Sequence, residues 1–118
     1  MPEFGLGYPG TELRQQLVEA VLAGRKTATA GLADEEPAPP AGARYIVEDS
    51  AGTPRAIVEV TEANVVPAGQ VDLQFARDEG EGFESVEEWR EAHGRFFERP
   101  IDDETLITAI RFRVVERL

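Results

Sequence analysis

Cysteine is absent from the 118 residues, which excludes disulfide staples, a thiolate nucleophile and cysteine-ligated metal. Long apolar runs are absent as well, since a helix that spans a bilayer needs about 18 or more apolar residues in succession. The first residues lack the basic-then-apolar layout of a secretory leader, so the cytoplasm is the expected compartment. Positive charge is scarce: 12 Lys+Arg stand against 23 Asp+Glu, a formal net charge of −11. A protein that coats duplex DNA needs several cations per site to release counterions. A field of this sign instead repels phosphate and anionic membranes at long range. It leaves room for a small, locally basic cleft that takes one nucleoside or a short single strand of RNA.

What is present suits one globular core. Hydrophobic residues make up 42 % and charged residues 30 %, an ordinary balance for a folded chain. A chain of this length buries a single core, so residues 1–118 are expected to form one domain.

Along the chain, Pro9-Gly10 marks a turn and Thr11 caps a helix expected over Thr11–Ala23. Its stripe is Leu13, Leu17, Val18, Val21 and Leu22, and Gly24 ends it. Thr27 to Ala30 turns small and β-branched and is expected as a strand. Residues 32–42, with Pro37, Pro39 and Pro40, form a loop. Arg44–Glu48 and Arg55–Val60 are expected as strands joined by a turn at Asp49-Ser50-Ala51-Gly52, with Pro67 as a breaker. Val71–Glu79 predicts a short helix. Ser85-Val86-Glu87-Glu88 resembles a capping box that opens a helix over Val86–Glu98, stopped by Pro100. Leu106–Val115 alternates as a closing strand, with Leu106, Thr108, Ile110, Phe112 and Val114 on one face. This order predicts an α+β protein, a small, partly closed β-barrel with flanking helices. An open sheet with helices on one face is the alternative.

Lys26, in Gly24-Arg25-Lys26-Thr27-Ala28-Thr29, is the only lysine beside eleven arginines. A buried ammonium can be tuned to act as a base, whereas guanidinium stays charged; a lone lysine would equally suit a helix C-terminus through the helix dipole. Thr29, three positions on, would share a site with Lys26 only if Lys26 precedes the strand, since a strand alternates its side chains. A neighbouring base would then activate its hydroxyl; threonine is also an ordinary strand former. Glu79, in the glycine-punctuated Glu79-Gly80-Glu81-Gly82, suits an acid or a lysine partner, or a solvated acidic loop. His93 is the sole histidine, and its place on the Trp89–Phe96 stripe predicts helix-face packing rather than metal ligation. Trp89 fits a base-stacking role and core packing equally. No metal or cofactor is expected.

Leu22-Ala23-Gly24-Arg25-Lys26-Thr27-Ala28-Thr29 resembles the signature of the ASCH domain, a family with a PUA-like β-barrel fold. The resemblance extends through Val65-Val66-Pro67, Phe75 to Gly82, and Trp89-Arg90-Glu91-Ala92-His93 to Phe96-Phe97. The family's general motif is Gly-x-Lys followed by an acidic residue and an arginine. Gly24 and Lys26 match, while Thr29 stands at the acidic position and Gly31 at the arginine position. Threonine there is similar to the family's small amidohydrolases of N4-acetylcytidine. The resemblance implies Lys26, Thr29 and Glu79 as catalytic residues, with Arg25, Thr27 and Trp89 as candidate binding residues. It implies no cofactor. Other family members bind or cleave RNA, so the partner class is a small nucleoside or single-stranded RNA.

Overall fold

The computed structural model describes residues 1–118. The chain runs α1 (Glu12–Leu22), β1 (Ala28–Leu32), β2 (Arg44–Glu48), β3 (Pro54–Pro67), α2 (Leu73–Asp78), α3 (Val86–Phe97) and β4 (Leu106–Arg117). A turn of 3₁₀ helix at Ala68–Gln70 joins β3 to α2. The four strands form one antiparallel sheet in the order β1-β4-β3-β2. Register shifts at Val47/Glu48, Ile57/Val58 and Val60/Glu62 are bulges that sharpen the twist. They curl the sheet into a half-barrel flanked by three helices, as the α+β reading expected.

Helices α1 and α3 start where their caps predict, and α2 starts two residues after the expected Val71, behind Asp72. The Thr11 side chain accepts the Arg14 amide, Asp72 that of Phe75, and Ser85 that of Glu88. The capping box is reciprocated one residue early, because the Glu88 carboxylate accepts from the Glu84 amide rather than from Ser85. Helix α3 stops at Phe97, and Glu98 takes a left-handed backbone with φ of 58°.

Two clusters sandwich the sheet. On one face Leu17, Val18 and Val21 of α1 meet Phe4, Val58, Val60, Ile110 and Phe112. On the other, Phe75, Ala76 and Trp89 close over Ala28 and Ile107. Strand β4 is therefore covered on both sides. This corrects the expected single buried face: Leu106 is exposed, whereas Ile107 of the opposite face is fully buried. Strand β3 continues seven residues beyond the expected Val60 and stays paired with β4 as far as Pro67↔Leu106. Leu13, placed in the α1 stripe, lies at the surface, while Arg14 is buried. Its guanidinium donates to the Glu3 carboxylate and to the carbonyls of Gly7 and Glu48. Arg14 thereby ties the N-terminal segment against β2, where the Phe4 amide also bonds the Ile46 carbonyl. No helix is long and apolar enough to cross a membrane.

Candidate functional site

Lys26 lies in the connection between α1 and β1, before the strand begins at Ala28, which is the placement that lets it face the same space as Thr29. Gly24, at φ of 80°, supplies the left-handed residue that ends α1. The amides of Arg25 and Lys26 then both return to the Ala20 carbonyl. The Thr27 amide bonds the Asp78 carbonyl at the end of α2, and the Thr27 carbonyl accepts from the Phe112 amide. These bonds clamp the lysine loop between α2 and β4.

On the α2 side, Gly80 makes the close approach possible. Its φ is 73°, and a Cβ there would sit 2.8 Å from the Arg25 carbonyl and the Lys26 Cα. Only glycine satisfies both demands. The result is that Glu79, with an almost wholly buried side chain, faces an equally buried Lys26, Nζ to Oε1 3.7 Å. Lys26 Nζ also donates to the carbonyls of Ala28 (2.8 Å) and Glu79 (3.3 Å). No hydrogen bond joins it to Thr29.

Helix α3 completes the set. The Trp89 indole N–H donates to Glu79 Oε2. His93, one turn on, places Nε2 3.2 Å from Glu79 Oε1 and Nδ1 2.9 Å from the Trp89 carbonyl. Both imidazole nitrogens thus face acceptor oxygens, an environment that the doubly protonated ring satisfies. Burial pushes the His93 pKa down, but the hydrogen bond and charge of Glu79 outweigh it, and the net direction is up. Burial likewise pushes Glu79 up, and its His93 hydrogen bond, the His93 and Lys26 charges and the Trp89 donor together hold it below the usual carboxylate range. Glu79 is an ionised carboxylate locked between two cations. Its oxygens are engaged on three sides, so it reaches a ligand through Lys26 or His93.

Lys26, Thr29, Glu79 and His93 line one cleft of about 860 Å³, together with Glu36, Glu81, Tyr8 and Phe96. The Glu36 carboxyl rests in the space that a Cβ on Gly31 would fill, and burial pushes its pKa up. A carboxyl from the loop thus fills the space beside Gly31. A second groove of about 770 Å³ runs along α3 and Ile101 and reaches none of the three catalytic candidates.

The structure thus brings Lys26, Thr29 and Glu79 to one cleft and separates the other candidates from it. Trp89 is fully buried and its indole N–H is committed to Glu79, so no face is free to stack on a base. Arg25 and Thr27 carry exposed side chains outside the cleft lining; what Thr27 contributes is its backbone. His93 was expected only to pack, and its partner is a carboxylate 14 residues earlier. Glu79, Glu81 and His93 each bring one ligand atom within 4.8 Å of the others, so these three could hold a divalent cation. The Nδ1–H to carbonyl bond of His93 is the outer contact a metal-bound imidazole normally makes.

The ASCH domain family model matches residues 6–116. A crystal structure of a protein from Enterococcus faecalis V583, assigned to family DUF984, is 31 % identical with a TM-score of 0.84, covering 99 % of this chain and 78 % of that one. The ASCH domain from Lactobacillus crispatus JV V101 is 29 % identical with a TM-score of 0.74, covering 86 % and 71 %. No curated protein matches the chain.

Proposed function

The chain belongs to the ASCH domain family, an RNA-related group of domains, and from that premise we propose that it is an amidohydrolase that removes the acyl group from N4-acetylcytidine. The observation that carries this reading is the buried Lys26–Glu79 pair in the same cleft as the Thr29 hydroxyl. Lys26 in its free-amine form takes the proton of Thr29, and the Glu79 carboxylate, which stays ionised 3.7 Å away, holds the ammonium that results. The threonine oxygen attacks the acyl carbonyl. The bond between the acyl carbon and the exocyclic nitrogen breaks, and the proton on Lys26 goes to that nitrogen. Water then cleaves the threonine ester and releases the acid. His93 holds Glu79 in place throughout.

The test is release of cytidine and acetate from N4-acetylcytidine. Lys26→Arg should lose about 10²–10⁴-fold in kcat, the usual worth of a general base, because guanidinium gives up no proton near neutral pH. Thr29→Ser should retain part of the activity and Thr29→Ala none. An active Lys26→Arg or Thr29→Ala protein, folded by circular dichroism, overturns the mechanism. The Glu79, Glu81 and His93 cluster favours a second reading, cation-assisted cleavage of single-stranded RNA. Cleavage of labelled RNA that needs a divalent ion and stops with chelator would select it.

A further inference from the structure

Two aromatic side chains stand at the mouth of the cleft without covering. Tyr8 is 66 % exposed and Phe96 37 % exposed, and their rings lie 5.5 Å apart at 30°. Both line the space that holds Lys26 and Thr29. Neither is loosely placed. The Tyr8 carbonyl accepts from the Thr11 hydroxyl at 2.7 Å, and the Gly7 carbonyl accepts from buried Arg14 at 3.0 Å. Phe96 sits one turn beyond His93 on α3 and packs edge-on against Phe97. Rings therefore run in contact from Trp89 at the Glu79 carboxylate, through His93, Phe97 and Phe96, out to Tyr8.

We infer that Tyr8 and Phe96 are the positioning residues that stack on the base of a nucleoside, with the reacting exocyclic group directed inward to Lys26 and Thr29; this rests on the proposed reading of the cleft. Stacking on an aromatic face accepts any base, because each has a π-surface. The rest of the lining restricts the ligand further. Five carboxyls line the cleft, that of Glu79 and four further glutamates, against Lys26, His93 and Arg95, so a phosphate brought into it meets net repulsion. The ligand that fits is an uncharged nucleoside rather than its phosphate.

The test measures cytidine affinity by calorimetry and N4-acetylcytidine turnover in the same variants. Tyr8→Ala and Phe96→Ala should each weaken cytidine binding and raise KM by about 5- to 100-fold, the range of one lost base stack, with kcat held within about twofold. Tyr8→Phe should bind as wild type, whereas Phe96→Leu, which keeps apolar bulk, should weaken binding like Phe96→Ala. Cytidine 5′-monophosphate should bind at least about tenfold more weakly than cytidine at low salt. Wild-type cytidine affinity in the Tyr8→Ala/Phe96→Ala double variant overturns the inference, whatever the turnover. Cytidine binding that depends on both rings without any turnover supports it while overturning the hydrolase. Turnover with unchanged KM in the ring variants does the reverse.

Discussion

Removing the ammonium of Lys26 should destabilise the fold by an amount that depends on Glu79. Lys26 and Glu79 have side chains about 1 % exposed at 3.7 Å, and Lys26→Met leaves the carboxylate buried with one cationic partner fewer. Breaking a buried ion pair from one side costs about 3–5 kcal/mol, because the remaining charge loses its compensation. Here the low end applies, since His93 and the Trp89 N–H still face Glu79. Unfolding entropy near 2.1 cal/mol/K per residue gives roughly 0.25 kcal/mol/K for a chain of 118 residues, so about 3 kcal/mol lowers Tm by about 12 °C. Glu79→Gln introduced into Lys26→Met removes the stranded charge and should recover part of the loss. The assay is a double-mutant cycle by thermal and urea unfolding. Expected is a coupling of at least about 1 kcal/mol, within the range for residues in one network. Additivity of the two variants within about 0.5 kcal/mol would refute the buried pair.

The paired titration gives a stability window. Glu79, held low, contributes above its unfolded value near about 4.3 and is lost as pH falls through its lower folded value; His93, held high, contributes fully below about 6.5 and is lost as pH rises through its higher folded value. Melting against pH should peak between about 4.3 and 6.5, and an alkaline decline that persists in His93→Gln would assign it to another group. Gly80→Ala should cost about 2 kcal/mol or more, from a strained left-handed residue and a backbone clash at 2.8 Å. A wild-type urea midpoint would show that the Lys26 and Glu79 loops are not in close contact. Gly31→Ala meets the carboxyl of Glu36 and, at 3.2 Å, its Cβ, so the side chain must swing aside and the loop give slightly; stability should fall by about 1 kcal/mol while cleft affinity changes as the carboxyl is displaced, and a large loss of Tm would mean Glu36 cannot move. Long duplex RNA should bind weakly or not at all at physiological salt, given the net charge of −11, and nanomolar retention in a filter assay would contradict this.

How far the sequence discloses the structure depends on whether a residue's neighbours lie near it in the chain. Helix α1 and strand β2 carry their own signals: the Thr11 cap and Gly24 stop in one, and an apolar run before an Asp-Ser-Ala-Gly turn in the other. The second half of β3 carries none, because the shift at Val60/Glu62 leaves Thr61 and Glu62 exposed in succession and erases the alternation on which a strand is recognised. The buried side of β4 is legible, but its second buried side depends on α2 and α3 folding back over Ile107, a contact no local pattern encodes.

The site divides along the same line. Lys26 is conspicuous by type and by its place after Gly24, and Glu79 by the glycines around it; both signals are local. The chemistry of His93 is not local. Its spacing of four from Trp89 puts both on one helix face, and an apolar face argues for packing, which is also true of it. What converts packing into electrostatics is a carboxylate delivered from the end of α2, and that delivery requires Gly80 to press against the lysine loop. A tryptophan on the same stripe is drawn inward by the same carboxylate, and this is why the ring the sequence offers for stacking is unavailable. Of the exposed rings, Phe96 lies further along α3 and Tyr8 comes from an N-terminal segment of turn-like sequence, held by Arg14 from within a helix stripe that otherwise reads as apolar. A single buried carboxylate thus sets the state of Lys26's partner network, the protonation of His93 and the orientation of Trp89, so Glu79 is the residue whose removal should disturb all three together.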